Sequence, residues 1–193
     1  GAKVASPPAP GLGCFAWTEA TGPNAPGQKL SGWPAPTCGL GGLAGWRQAA
    51  RMISPGLVSV TFRALSPAEI VGLVRQAGLR GIEWGGDIHV PHGNLARARE
   101  VRAMTQQAGL TVAAYGSYYR AAKSESDGLR FESVLETAVE LGAPLIRVWA
   151  GPAASADSNA AQRAEVAADL RRIAELAAAA RVGISLEYHS GTL

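Results

Sequence analysis

From Ser54 onward the chain repeats one rhythm, an apolar strand-like run followed by an amphipathic helical segment. The unit is roughly 30–40 residues long, the size of one strand–helix step, and such alternation demands parallel strands joined by right-handed crossovers. The predicted strands are "LVSVTF" (57–62), "GIEW" (81–84), "TVAAYGSYY" (111–119), "LIRVWAG" (145–151) and "GISLEYH" (183–189). Between them lie four helical stretches. In the first, Ser66 and Glu69 form a capping box, Pro67 takes the first helical position, and Ile70, Leu73, Val74 and Ala77 share a face up to Gly78. Asn94 caps the second, whose stripe is Leu95, Ala98, Val101 and Met104, ending at Gly109. The third presents Phe131, Val134, Leu135 and Ala138 before Gly142. The fourth, roughly 159–181, presents Val166, Leu170, Ile173 and Ala177. The tags "QAGL", "QAGL", "ELGAP" and "ARVG" close successive helices.

Two architectures carry this rhythm, a (βα)₈ barrel and an open doubly wound sheet. "VTFRALSPAE" lacks the phosphate-binding glycine turn that usually follows the first strand of the open form. Five strands are too few to close a barrel of this type. The α/β reading is therefore a (βα)₈ TIM barrel truncated after about five strands, with an irregular N-terminal extension. Residues 1–51 are that extension. Stretches such as "ASPPAPGLG" and "GWPAPTCGLGG" are rich in Gly and Pro and show neither strand nor helix periodicity. Arginine outnumbers lysine and Ala and Gly abound, as in GC-rich coding, where upstream frames stay open; this makes Met52 a candidate true start and residues 52–193 the native barrel part.

With 47% hydrophobic and 17% charged residues, the composition is that of a soluble globular protein, and no apolar run approaches the ~20 residues of a membrane span. The net charge of +3 comes from arginines scattered among acids along helices, so no nucleic-acid stripe forms and a solvated surface is expected. Cys14 and Cys38 sit in no CxxC pair and near no histidine, which excludes a recognisable cysteine zinc site and points to a reducing, cytoplasmic setting, with a single disulfide between them as the alternative.

In either architecture function gathers at the C-terminal ends of parallel strands. The polar residues collect there: Glu83, Asp87, His89 and His92 after the second strand; Tyr115, Ser117, Tyr118, Tyr119 and Arg120 on the third; Arg147 and Trp149 on the fourth; Glu187, His189 and Ser190 on the fifth. Glu187 and His189 lie two apart, hence on one side of a strand, and face the barrel mouth if Leu186 and Tyr188 pack against helices. A carboxylate there either ligates a divalent cation and doubles as a base, or forms an ion pair with Arg147. Gly85 and Gly86 permit positive φ and so a sharp exit from the strand, and Gly116 and Gly151 are expected in backbone turns. Pro91 holds Val90 extended, spacing His89 and His92 along a stiff loop. That pair either contacts substrate or serves packing, and Tyr115, Tyr118, Arg120 and Trp149 suit a polyol or phosphorylated sugar as well as they suit a core layer.

The segments "GIEWGGDIHVPHG", "AYGSYYR", "LGAPLIRVWAG" and "SLEYHSGTL", in this order, resemble the xylose isomerase-like TIM barrel superfamily, in its sugar phosphate isomerase/epimerase branch. The resemblance spans Ser54 to Leu193. It implies a metal-dependent enzyme that moves a proton or hydride on a sugar, sugar phosphate or inosose-like keto-compound. Glu187 would be the catalytic base and a ligand of Mn, Mg or Zn, with further ligands expected beyond residue 193 and the present chain alone inactive. Glu83, His89, His92, Tyr115, Tyr118, Arg120, Arg147, Trp149 and His189 would contact the small carbohydrate, with no nucleic-acid or membrane partner. The superfamily's apurinic endonucleases carry zinc-binding histidines at strand ends three and four, where this chain reads "YGSYYR" and "VWAG". That departure disfavours a DNA-repair reading and leaves a non-catalytic barrel fragment as the remaining alternative.

Overall fold

The computed structural model describes residues 54–193. Residues 1–51, both cysteines and the candidate start at Met52 lie outside the described residues. Five parallel strands pair in the order of the chain: β1 (Gly56–Val58), β2 (Gly81–Gly85), β3 (Thr111–Arg120), β4 (Leu145–Trp149) and β5 (Gly183–Glu187). A doubly wound sheet reverses its strand order at a switch point, whereas a barrel wall runs on without reversal. The uninterrupted order is that of a barrel wall.

The helices are α1 (Pro67–Gln76), α2 (Leu95–Gln107), α3 (Phe131–Leu141) and α4 (Ala160–Ala179). Three of the four start at a side-chain cap, α3 being the exception. Ser66 and Glu69 form the expected capping box with Pro67 beside it; the Asn94 side chain accepts from Arg97 N; Asn159 and Gln162 make a second box. Left-handed Gly78, Gly109 and Gly142 follow the first three helices, a conformation that costs glycine least. The buried stripes agree with the expected faces except in α1, where Pro67, Ile70, Val71 and Val74 are buried while Leu73 and Ala77 are exposed. One apolar core joins these stripes to the outward strand residues Ile82, Trp84, Val112, Ile146 and Val148. Among the described residues no helix is long and apolar enough to cross a membrane.

Several boundaries differ from expectation. The run 57–62 does not stay a strand: after Val58 the chain turns into a single 3₁₀ segment, Ser59–Phe62. The cause is Ser59, which is buried and whose hydroxyl accepts Gly85 N–H at 2.9 Å, replacing the next rung of the ladder. β5 ends at Glu187, and Leu186 and Tyr188 are exposed instead of packing on helices.

Candidate active site at the strand ends

The inward face of the sheet gathers charge around Arg147. Its Nε donates to Glu83 Oε1 at 2.7 Å and its Nη1 donates to Glu187 Oε2, while Trp149 Nε1 donates to that same Glu187 oxygen. Burial opposes the Arg147 charge, but the Glu83 and Glu187 carboxylates outweigh it and hold the guanidinium pKa above its ordinary value. The side chains of Arg147 and Glu83 keep only 14% and 18% of their surface, so water screens their attraction weakly. The ion-pair alternative for Glu187 is the one this geometry displays.

The backbone makes room for this array. A Cβ at Gly116 would stand 2.7 Å from Glu83 Oε1 and 2.8 Å from Arg147 Nη2, so the glycine is there for close approach and not, as expected, for a turn. Just beyond it β3 bulges: Gly116 pairs with Arg147 and Tyr119 with Val148, leaving Ser117 and Tyr118 unpaired. The buried Ser117 hydroxyl donates to the Arg147 carbonyl at 2.7 Å and accepts Tyr119 N–H at 3.2 Å, substituting for the lost rungs. Tyr118 is left at φ 59, a strained angle for a residue with a side chain. Its ring meets Trp149 edge-on at 5.2 Å, with the Arg147 guanidinium 5.3 Å from its centre.

These groups surround an open hollow of about 320 Å³ lined by Val58, Val60, Glu83, Tyr118, Arg147, Trp149, Glu187 and His189. Five of the polar and aromatic residues in it, Glu83, Tyr118, Arg147, Glu187 and His189, are candidates from the sequence, and Trp149 is a sixth. Arg120 reaches the hollow only through Trp149, its guanidinium 4.6 Å from the centre of that ring. His189 lies against the same indole at 4.6 Å, and its Nδ1 donates to the Ser190 carbonyl at 2.8 Å, so Nε2 is the nitrogen left for a substrate. Val58 and Val60 escaped sequence reading because apolar wall residues look like any core. A larger hollow of about 390 Å³ beside Leu57, Phe62, Leu73 and Leu79 is apolar and carries no titratable group.

The other candidates sit elsewhere. His89 is 2% exposed, with Nδ1 on the Ser59 hydroxyl at 2.9 Å and Nε2 on the Leu65 carbonyl at 3.2 Å. Tyr115 is fully buried and its hydroxyl bridges the Val90 carbonyl and His92 Nδ1, at 2.8 and 2.7 Å. Burial pushes both histidine pKa values down and that of Tyr115 up. All three residues fasten the loop after β2 and none lines the hollow. Gly85 and Gly86 are not among the positive-φ residues. A Cβ at Gly86 would stand 2.5 Å from His92 Cε1 and 2.8 Å from the Tyr115 hydroxyl, so this glycine too answers to crowding. Asp87 pairs with Arg63 at the rim.

A divalent metal finds too few donors here. Among the described residues no three of His, Cys, Asp and Glu come together, and the Glu187 oxygen that faces the array already accepts from Arg147 and Trp149. The described residues alone therefore do not fit such an ion.

A family model described as xylose isomerase-like TIM barrel matches residues 71–193. Among solved structures the chain is similar to the probable 3-DHS dehydratase AsbF of Bacillus anthracis, involved in petrobactin synthesis. The identity is 26% and the TM-score 0.60, over 73% of this chain and 54% of that one. A putative xylose isomerase from Rhodospirillum rubrum matches at 25% identity and TM-score 0.52, over 69% and 53% of the two chains. D-psicose 3-epimerase, solved with D-fructose, matches at 17% and 0.53 over 68% and 51%, a likeness of fold alone. The chain thus spans about half the length of these three structures. No curated protein matches it. The parallel wall of five strands, the charged C-terminal rim and the match over most of the described residues agree: the chain belongs to the xylose isomerase-like TIM barrel family.

Proposed function

We propose that this rim moves a proton at the carbon beside the carbonyl of a polyhydroxylated keto-compound. That step is common to sugar isomerisation, epimerisation and dehydration, the last two being the activities named for two of the similar structures. The observation that carries the reading is the pairing of two acid–base groups, Glu187 and His189, at the end of β5 beside an open hollow walled by Tyr118 and Trp149. Arg147 and Trp149 donate to one Glu187 oxygen and so fix the carboxyl group at the rim, where a base must stand. The carboxylate takes the C–H proton, and the electron pair moves onto the carbonyl oxygen as an enolate. Transfer of the neighbouring hydroxyl proton to the enolate oxygen and return of the abstracted proton to the former carbonyl carbon isomerises the substrate; protonation from the opposite face by water, with the Glu187 proton released to solvent, epimerises it. Expulsion of a β-hydroxyl with a proton from His189 dehydrates it. Glu83 orients Arg147 and accepts substrate hydroxyls, while the two aromatic rings form the wall for the carbon skeleton.

The resemblance adds a divalent Mn, Mg or Zn ion bound in part by Glu187, which would polarise the carbonyl. The described residues do not hold one, and no step above depends on it.

The test is proton exchange. Ketoses, inososes and 3-DHS are incubated with the full-length protein in D₂O and followed by NMR. Deuterium should enter beside the carbonyl of at least one of them, and Glu187→Gln should abolish it. A panel without exchange, or a Glu187→Gln variant that exchanges as fast, would overturn the reading.

A further inference from the structure

We infer that Arg120 forms an anion subsite at the edge of the hollow, so that the ligand carries a carboxylate or phosphate at one end. The inference deepens the reading above, yet its first test does not depend on it.

Consider the cations of the described residues. Arg63, Arg97, Arg99, Lys123, Arg130, Arg147 and Arg172 each have a carboxylate partner. Of the described arginines without one, Arg75, Arg80, Arg102, Arg163, Arg171 and Arg181 are exposed, and Arg120 is half-buried. A half-buried guanidinium with no counter-charge is costly unless something else meets it. What meets Arg120 is the face of Trp149, which supplies a cation–π contact but accepts no hydrogen bond. Its planar fork of donors is thus left for a ligand, and that fork matches carboxylate and phosphate oxygens in pairs.

The placement is built, not incidental. Arg120 N–H donates to the buried Ser124 hydroxyl at 2.7 Å, and the Arg120 carbonyl accepts from Lys123 N and Ser124 N at 3.1 and 3.0 Å. Two residues on, Ala122 sits at φ 58 with its N–H held by Asp169 at 2.8 Å. Asp169 is fixed in turn by Arg172 and the Tyr119 hydroxyl. A backbone tied down this way presents its side chain with little ordering entropy left to lose.

Charge sets the division of labour. Arg147 is neutralised by two carboxylates and has no attraction to spare for an anion, whereas Arg120 has no carboxylate partner among the described residues. Trp149 touches both regions, since its N–H meets Glu187 and its face meets Arg120. A ligand whose reacting carbon lies at Glu187 therefore sets its anionic end at Arg120, across one indole.

The test begins with inorganic phosphate and acetate titrated into isotopically labelled protein, reading the Arg120 Nε–H and Trp149 indole N–H signals. Saturable shifts are expected, absent in Arg120→Met and retained in part in Arg120→Lys. No shift in the intact protein, or equal shifts in Arg120→Met, would overturn the subsite whether or not proton exchange is found. A second arm compares fructose 6-phosphate, gluconate and fructose by calorimetry. Either anion should bind at least about tenfold more tightly than fructose, with the preference lost in Arg120→Met, and the tighter of the two identifies the source of the charge. Equal affinity for all three would sink the assignment.

Discussion

The loop after β2 and the ends of β3–β5 both look like active sites in the sequence, and the fold uses them oppositely. The loop holds two of the chain's three histidines, yet both His89 nitrogens and the His92 Nδ1 find protein partners. At the other strand ends Glu187 and His189 line the open hollow, and Arg120, set on the Trp149 ring, has no carboxylate partner among the described residues. A polar cluster signals function by the bonding capacity left over after folding, and not by its density. The loop that carries no open group instead fastens to β3 through Tyr115 and to the segment after β1 through Ser59 and Leu65.

That contrast can be broken in four ways. The largest expected effect is on chemistry: Glu187→Gln should lower proton exchange by roughly 10³-fold, while His89→Gln should change the rate of folded protein little. Equal losses measured by NMR exchange would erase the distinction between the regions. Second, Arg147→Met leaves Glu83 and Glu187 facing each other without a cation. Because these groups are only partly sheltered, a loss of about 2–3 kcal/mol in urea unfolding is expected, less than the roughly 3–5 kcal/mol that breaking a fully buried pair costs. An unchanged midpoint would mean that the array contributes no stability.

Third, Gly86→Ala and Gly116→Ala should each destabilise by about 1–3 kcal/mol, since each new Cβ meets atoms closer than contact distance. Only the Gly116 change should also weaken ligand binding; if the Gly86 variant weakens it as much, the loop belongs to the site. The smallest effect concerns pH. Burial depresses the His89 and His92 pKa values below the ordinary 6.5, so the unfolded chain binds more protons in that range. Their contribution is fully present above about 6.5 and is lost as the pH falls through the depressed folded values. Denaturation midpoints of His92→Gln should fall less steeply with acid than those of the intact protein, and parallel slopes would contradict the burial argument.

Much of the wall was legible because its signals are local. A capping box spans four residues, as Ser66 to Glu69 does, and an amphipathic stripe spans one helix, as Phe131 to Ala138 does. β1 was misread because the reason it stops at Val58 is Gly85, whose N–H is taken by the Ser59 hydroxyl. The glycines were misread for a related reason. Gly86 and Gly116 look like turn residues, and only their neighbours in space, Tyr115, His92, Glu83 and Arg147, show that they are there to leave room.

By itself the sequence determined the alternation of elements, the parallel arrangement and the crowding of polar residues at one set of strand ends. These follow from periodicities of two and 3.6 residues and from caps, which a short window contains. Tertiary structure alone decided which of those polar residues stay available. Arg147 meets Glu83 across 64 residues and Glu187 across 40, and the β3 bulge that turns Tyr118 toward the hollow exists only against β4. Hydrogen-bonding capacity is consumed by neighbours in space, so what remains for a substrate is fixed only when the strands lie side by side.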